Sequence, residues 1–136
     1  MKYMLLLLGR QESWDAMGLG AREEPVWAEE DVDMVFRFMS AVTRDLSESG
    51  ELVDTRGLAD PAHTRTVRLR NGVPAVTDGP FSEAREVLAG YLVVDCASLE
   101  RATEIAARIA SCPVPAGYDP DPVEVRPIME DAGTEM

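Results

Sequence analysis

Two stretches with the period of a helix, each set between runs with the character of strands, leave this chain few folds to choose from. Residues 29–49 put Val32, Val35, Phe36, Met39, Val42 and Leu46 on one stripe at 3.6-residue spacing. Residues 98–111 do the same with Leu99, Ala102, Ile105, Ala106 and Ile109. The end signals agree. Glu29, Glu30, Asp31 and Asp33 crowd the start of the first stretch, where the helix dipole favours negative charge, and Gly50 stands just past its end. Ser98 is placed to cap the second.

Around these helices lie the strands. Residues 2–8 are a near-continuous apolar run, suited to a central strand covered on both faces. Residues 51–58, 88–95 and 123–128 read as three further strands. Between the second and third of these four lies a hairpin. Residues 64–70 alternate, with Val67 and Leu69 opposite Thr66, Arg68 and Arg70, and Asn71-Gly72 is the pair a type I′ turn demands. Pro74 confines the returning segment, residues 73–77, to a sheet edge. The order β-α-β-(hairpin)-β-α-β is a split βαβ pattern with one addition. It predicts an α+β fold of ferredoxin-like type, with two helices on one face of an antiparallel sheet. The other face is then bare in a monomer, and a partner subunit is the usual cover for such a face where it is apolar. Residues 9–28 form a connection too long to be structureless in a compact domain, so it is read as functional or partly helical.

The length of 136 residues fits one domain, expected over residues 1–129, with residues 130–136 as a flexible tail. Thirteen basic against twenty-five acidic residues leave a net charge of −12. Such a surface repels phosphates, which argues against nonspecific nucleic-acid binding. No run of about 18 apolar residues is present to span a membrane. The apolar stretch 4–8 is shorter than the ~7–15 residues of a secretory signal, and no cleavage site follows it, so a cytoplasmic protein is expected. Cys96 and Cys112 flank the second helix, which separates them by roughly 20 Å, whereas a disulfide needs Cα atoms within about 7 Å. Two small buried thiols are expected instead.

Charge is uneven along the chain. Residues 29–60 carry a net −6 and residues 96–136 a net −5, while residues 61–95 balance at four acids and four arginines. The neutral, Arg-containing middle is the more favourable place for a small anionic ligand. It holds the segment with the most chemical information, Asp78-Gly79-Pro80-Phe81-Ser82-Glu83-Ala84-Arg85-Glu86, followed by Ala89-Gly90-Tyr91. A tight turn at Gly79 and Pro80 would fix the direction of Asp78, with Phe81 as its anchor in the core. Burial would then raise the Asp78 carboxyl toward the range of a general base. Glu83 and Glu86, three apart, share a face if that stretch is helical. Tyr91 adds a hydroxyl and Arg126 a fixed positive charge near a strand end. The structural alternative is as simple: Asp78 bonds its own turn, the two glutamates pair with Arg85 in solvent, Tyr91 fills the core and Arg126 braces a dimer.

This segment resembles the DGPF branch of the YciI-related (YCII) family, in which an Asp-Gly-Pro-Phe-Ala-Glu-Thr-Lys-Glu stretch precedes Gly-Gly-Phe/Tyr. Asp78, Gly79, Pro80, Phe81, Glu83, Glu86, Gly90 and Tyr91 match, and Arg85 stands where the family has Lys. The opening Met-Lys-Tyr-Met-Leu-Leu and the closing Val123-Glu124-Val125-Arg126-Pro127-Ile128 are also similar to the family's ends. The resemblance implies a ferredoxin-like subunit that dimerises through its sheets, a dimeric α+β barrel. It implies no particular reaction, because the family is largely uncharacterised. Other members carry a histidine–aspartate pair with the histidine early in the chain. Here the one histidine is His63, in a turn before the hairpin, and residues 9–29 offer no substitute.

Metal, phosphate and nucleophile motifs are missing from the sequence. One histidine and two distant cysteines make no zinc site, no EF-hand loop is visible, and neither G-x-G-x-x-G, P-loop nor Gly-x-Ser-x-Gly occurs. No metal or other cofactor is therefore expected. The leading expectation is a homodimer that binds a small polar or anionic metabolite near Asp78, with cofactor-free acid/base catalysis. Asp78 is the candidate catalytic group, and Gly79, Pro80, Phe81, Glu83, Glu86, Tyr91 and Arg126 the candidate ligand-binding residues. One alternative is a non-catalytic interaction module that contacts a sigma-factor-like partner through its acidic helix. Another is a cofactor-free monooxygenase, which would need a large apolar cavity.

Overall fold

A computed structural model describes residues 1–20, 26–79 and 85–129 of the chain. The sheet has four strands in the order β2-β5-β1-β6, where β1 is Lys2–Gly9, β2 Leu52–Gly57, β5 Val87–Asp95 and β6 Val123–Pro127. Every neighbour runs antiparallel. Helices α2 (Glu29–Glu48) and α3 (Leu99–Ala110) connect β1 to β2 and β5 to β6. This strand order, with both crossovers on one face, fits the expected ferredoxin-like arrangement.

Alternation along the strands decides which side is core. Tyr3, Leu5, Leu92 and Val94 pack with Val42 and Leu46 of α2 and with Ala102, Ile105, Ala106 and Ile109 of α3, and Leu7, Leu52, Val123 and Val125 join at the margin. Burying four or five such aliphatic side chains supplies ~1.5–3 kcal/mol each, the main drive for closing the helices onto the sheet. Ser98 caps α3 as expected, its Oγ accepting from the Arg101 amide at 3.1 Å.

The hairpin forms a separate two-stranded sheet, β3 (Arg65–Arg70) and β4 (Val73–Asp78), turned at Asn71 and Gly72 with φ of 52° and 79°. It stands away from the core, and Val67, Leu69, Val73 and Val76 are all exposed.

Two expectations about the helices need correction. The stripe of α2 is buried only toward its C-terminal end, at Val42 and Leu46, while Phe36 is 52% exposed. The front of this 20-residue helix runs past the close-packed core, where Val35 and Met39 line a cavity instead. Leu99 of α3 is likewise exposed, because it sits in the first turn before the helix meets the sheet. The long first connection contains a helix, α1 (Gln11–Ala16), the second of the two readings its length left open. The C-terminal tail, residues 130–136, lies outside the described residues.

Candidate functional site

The sequence-derived candidates fall in three separate places. Asp78 ends β4, opposite Arg65 in the ladder, and the Arg65 Nε donates to its Oδ1 at 2.7 Å. Both side chains are about two-thirds exposed, 67% and 65%. The buried Asp78 expected from the sequence is therefore not what the fold produces: the hairpin holds it out in solvent, against a guanidinium, in an open depression shared with His63 and Thr64. His63 ends a 3₁₀ turn, Pro61–His63, in the turn before the hairpin where the sequence put it, and is exposed. Gly79 next to Asp78 is required by close approach. Its amide donates to the Thr64 carbonyl at 2.8 Å, and a Cβ there would lie 3.1 Å from the carbonyl oxygens of Pro61 and Ala62. Pro80, Phe81 and Glu83 lie outside the described residues.

Tyr91 and Arg126 occupy the sheet face that neither helix covers. Tyr91 is half-buried, and its hydroxyl donates to Asp54 Oδ2 at 3.3 Å. Arg126 is exposed and makes no ion pair among the described residues.

Glu86 belongs to a third place, which the sequence did not single out. Between the sheet and the helices lies a cavity of about 230 Å³. Leu7 and Leu8 of β1, Val35 and Met39 of α2, and Ile109 and Cys112 at the end of α3 form much of its wall, and Trp27 closes one side. The titratable groups in this wall are Asp121 and the Cys112 thiol. Asp121 comes from the Pro-rich loop before β6. Burial pushes its carboxyl above the usual aspartate range; the Arg10 guanidinium (Nη2 to Oδ1, 3.8 Å) and the Ser13 hydroxyl (donating to Oδ2, 3.5 Å) pull it back. The nearby charges of Glu86 and Glu12 push it up further. The far end of the Asp-Gly-Pro-Phe segment therefore acts electrostatically on the cavity, although Asp78 does not reach it. Burial likewise pushes the Cys112 thiol up, which keeps it protonated and slow to react.

The first connection also carries a buried polar network centred on Gln11. The Gln11 amide donates to Asp60 Oδ1 at 2.7 Å and to Asp15 Oδ1 at 3.1 Å, and Asp60 Oδ1 also accepts from the Ala62 amide at 2.9 Å. This buried bond ties α1 to the 3₁₀ turn under the hairpin. Among the described residues, the buried side-chain polar atoms without a partner are Arg10 Nε, Gln11 Oε1 and Trp27 Nε1, all from this same connection. Unsatisfied buried groups are rare in folded proteins, and of these three residues Trp27 lines the cavity.

Sequence reading missed Arg10, Ser13, Trp27 and Asp121. The available signal was the improbable length of residues 9–28, together with an Asp121 held between Pro120 and Pro122. No described residues group three or more histidine, cysteine or carboxylate side chains in a way that could hold a metal ion. No helix among them is long and apolar enough to cross a membrane.

A family model described as the YCII-related domain matches residues 1–130. An uncharacterized protein of Rhizobium meliloti is 36% identical over 103 residues, covering 75% of this chain and 79% of that protein.

Proposed function

The chain belongs to the YCII-related domain family, and on that premise we propose that it binds a small metabolite in the cavity between sheet and helices and acts on it by cofactor-free acid/base chemistry. Within the family it is assigned to the branch marked by Asp-Gly-Pro-Phe, on the strength of residues 78–81. It works as a homodimer of the α+β barrel kind, joined through the bare sheet faces. The observation that carries the functional reading is a carboxyl, Asp121, raised by burial in the wall of an otherwise largely apolar cavity. Ligand sites are typically of this form: concave, mostly apolar, with a few placed polar groups and a perturbed titration.

The geometry favours a compact ligand with an apolar body and one polar end. The body lies against Leu7, Val35 and Ile109, and the polar end faces Asp121. Burial raises this carboxyl above the ordinary aspartate range, the direction that suits an acid or base, so Asp121 serves in that role at the polar end. Arg10 offers a positive charge that stabilises an anion forming there. Asp78 is left the structural task of closing the hairpin base against Arg65.

Cys112 gives a direct readout, since it lines the same cavity and Cys96 is buried in the core. The rate at which a thiol reagent modifies Cys112 is measured with a panel of small aromatic and alicyclic acids, ketones and phenols. At least one class is expected to slow modification about tenfold. That protection should change in Asp121→Asn and persist in Asp78→Asn. Loss of protection in Asp78→Asn with an unchanged Asp121→Asn would move the site to the hairpin base. The apolar lining also favours the oxygenase reading, which oxygen uptake with quinol-like compounds would reveal.

A further inference from the structure

The loop that carries Asp121 is built to move as one piece. Residues 112–122 leave the end of α3 and return to β6 as an arch, and from it Cys112, Val114, Pro120, Asp121 and Pro122 line the cavity. Proline stands at 113, 115, 120 and 122, which fixes φ at about −65° in each place and removes the amide donor. A tight turn at residues 115–118 closes the tip. The Tyr118 amide donates to the Pro115 carbonyl at 3.2 Å, and Gly117 takes the positive φ, 91°, that the third place of a type II turn requires. Among the described residues, backbone bonds join the arch to the rest of the chain only at its feet, where the Cys112 amide donates to the Ile109 carbonyl and the Leu8 amide to the Pro122 carbonyl. Segments with so few backbone bonds open at low cost.

Side chains hold the middle of the arch down, with partners on the first connection. The Tyr118 ring packs edge-on against Trp27, the ring centroids 5.3 Å apart and the planes at 70°. Trp27 is a firm seat. It is 9% exposed, and its amide donates to the carbonyl of Ala16, the last residue of α1, at 2.9 Å. The polar contacts of Asp121 are longer, 3.8 Å to Arg10 and 3.5 Å from Ser13, and Arg10 shares its charge with Glu12 at 3.4 Å. Both sit at the long limit of their kind, so the aromatic pair carries the hold. We infer that Tyr118 is a positioning residue, whose ring on Trp27 latches the Pro-rich arch shut and so sets Asp121 in the cavity wall. Release of the latch swings Pro120 and Asp121 outward, which opens the cavity to a ligand and parts Asp121 from Arg10. Closure over the ligand brings carboxyl and guanidinium together again, so the polar end is complete only when the site is shut.

The latch rests on the reading of this cavity as a ligand site, and one titration separates the two. The Asp121 carboxyl is followed by carbon NMR in wild type, Tyr118→Ala and Tyr118→Phe without added compound, and melting curves check that each variant is folded. The groups that act on this carboxyl are Arg10, Glu12 and Ser13 of the first connection and Glu86 before β5, and neither substitution alters them. Wild type is expected to titrate above 3.8, because the shut arch keeps the carboxyl from water. In Tyr118→Ala roughly half or more of that rise is expected to be lost, and Tyr118→Phe, which keeps the ring, should retain it. A carboxyl that stays as high in Tyr118→Ala as in wild type would overturn the latch and leave the site standing. Loss of the whole fold in Tyr118→Ala would also overturn the latch, by making Tyr118 part of the core. No rise in wild type would overturn latch and site together. If no compound protects Cys112, yet the carboxyl falls in Tyr118→Ala and holds in Tyr118→Phe, the ligand reading fails and the latch stands.

Discussion

A carboxyl group that loses water on folding opposes that folding, and Asp121 is such a group. Unfolded, it titrates near the ordinary 3.8, and the fold raises that value chiefly by burial. Between the two values the folded chain holds a proton that the unfolded chain has released, so stability falls as pH climbs through that window. Asp121→Asn has no charge to desolvate. It is expected to melt about 2–4 °C higher than wild type near neutral pH, with the difference vanishing as pH drops through the ordinary aspartate range. Calorimetry across pH reads this directly, and a variant less stable than wild type at neutral pH would mean that Arg10 and Ser13 outweigh burial. Nothing at the residue itself announces this in the sequence. Asp119-Pro120-Asp121-Pro122 reads as a solvated acidic loop, yet Arg10 and Ser13 of the first connection reach Asp121 in the fold. Asp78 fails in the opposite way: its motif was legible, while its exposure depends on how far the hairpin stands from the core.

Elements with a clear period were legible. The two long helices and all six strands occur within a residue or two of where alternation and end signals put them: the helices and the four strands of the larger sheet because they share one core, and the hairpin because Asn71 and Gly72 fix its turn. The six-residue α1 was not legible, since it has no side-chain cap, no full stripe and no length for a period to show. The lock between α3 and β2 is similarly invisible in the sequence. Arg101 donates from Nε and Nη2 to the two carboxylate oxygens of Glu51, both at 2.9 Å, and this holds the Glu51 carboxyl below its usual 4.5. A lowered carboxyl contributes stability that is complete above the unfolded value and is lost as pH falls through the folded one. Because Arg101 is 41% exposed, the pair is discounted as a surface ion pair. Glu51→Gln is expected to cost roughly 0.5 kcal/mol at neutral pH, a cost that fades as pH falls through the lowered Glu51 value. A penalty that persists in acid would show that packing, rather than charge, joins the two elements.

At the scale of the molecule, the sheet serves two ends at once. One face closes over the core and the cavity; the other is left uncovered by either helix. The fold was legible at this scale because strand order follows from the element sequence, and the bare face follows from both helices lying on one side. The cavity was not, because it exists only where α2 outruns the packed core and the first connection and the Pro-rich loop close around the gap. The most direct test of the whole account is the titration of the Asp121 carboxyl in the intact protein, followed by carbon NMR with and without a compound that protects Cys112. The carboxyl should titrate above 3.8 in the free protein and move again when the compound binds. A carboxyl that titrates at or below that value and ignores the compound would contradict the proposed site.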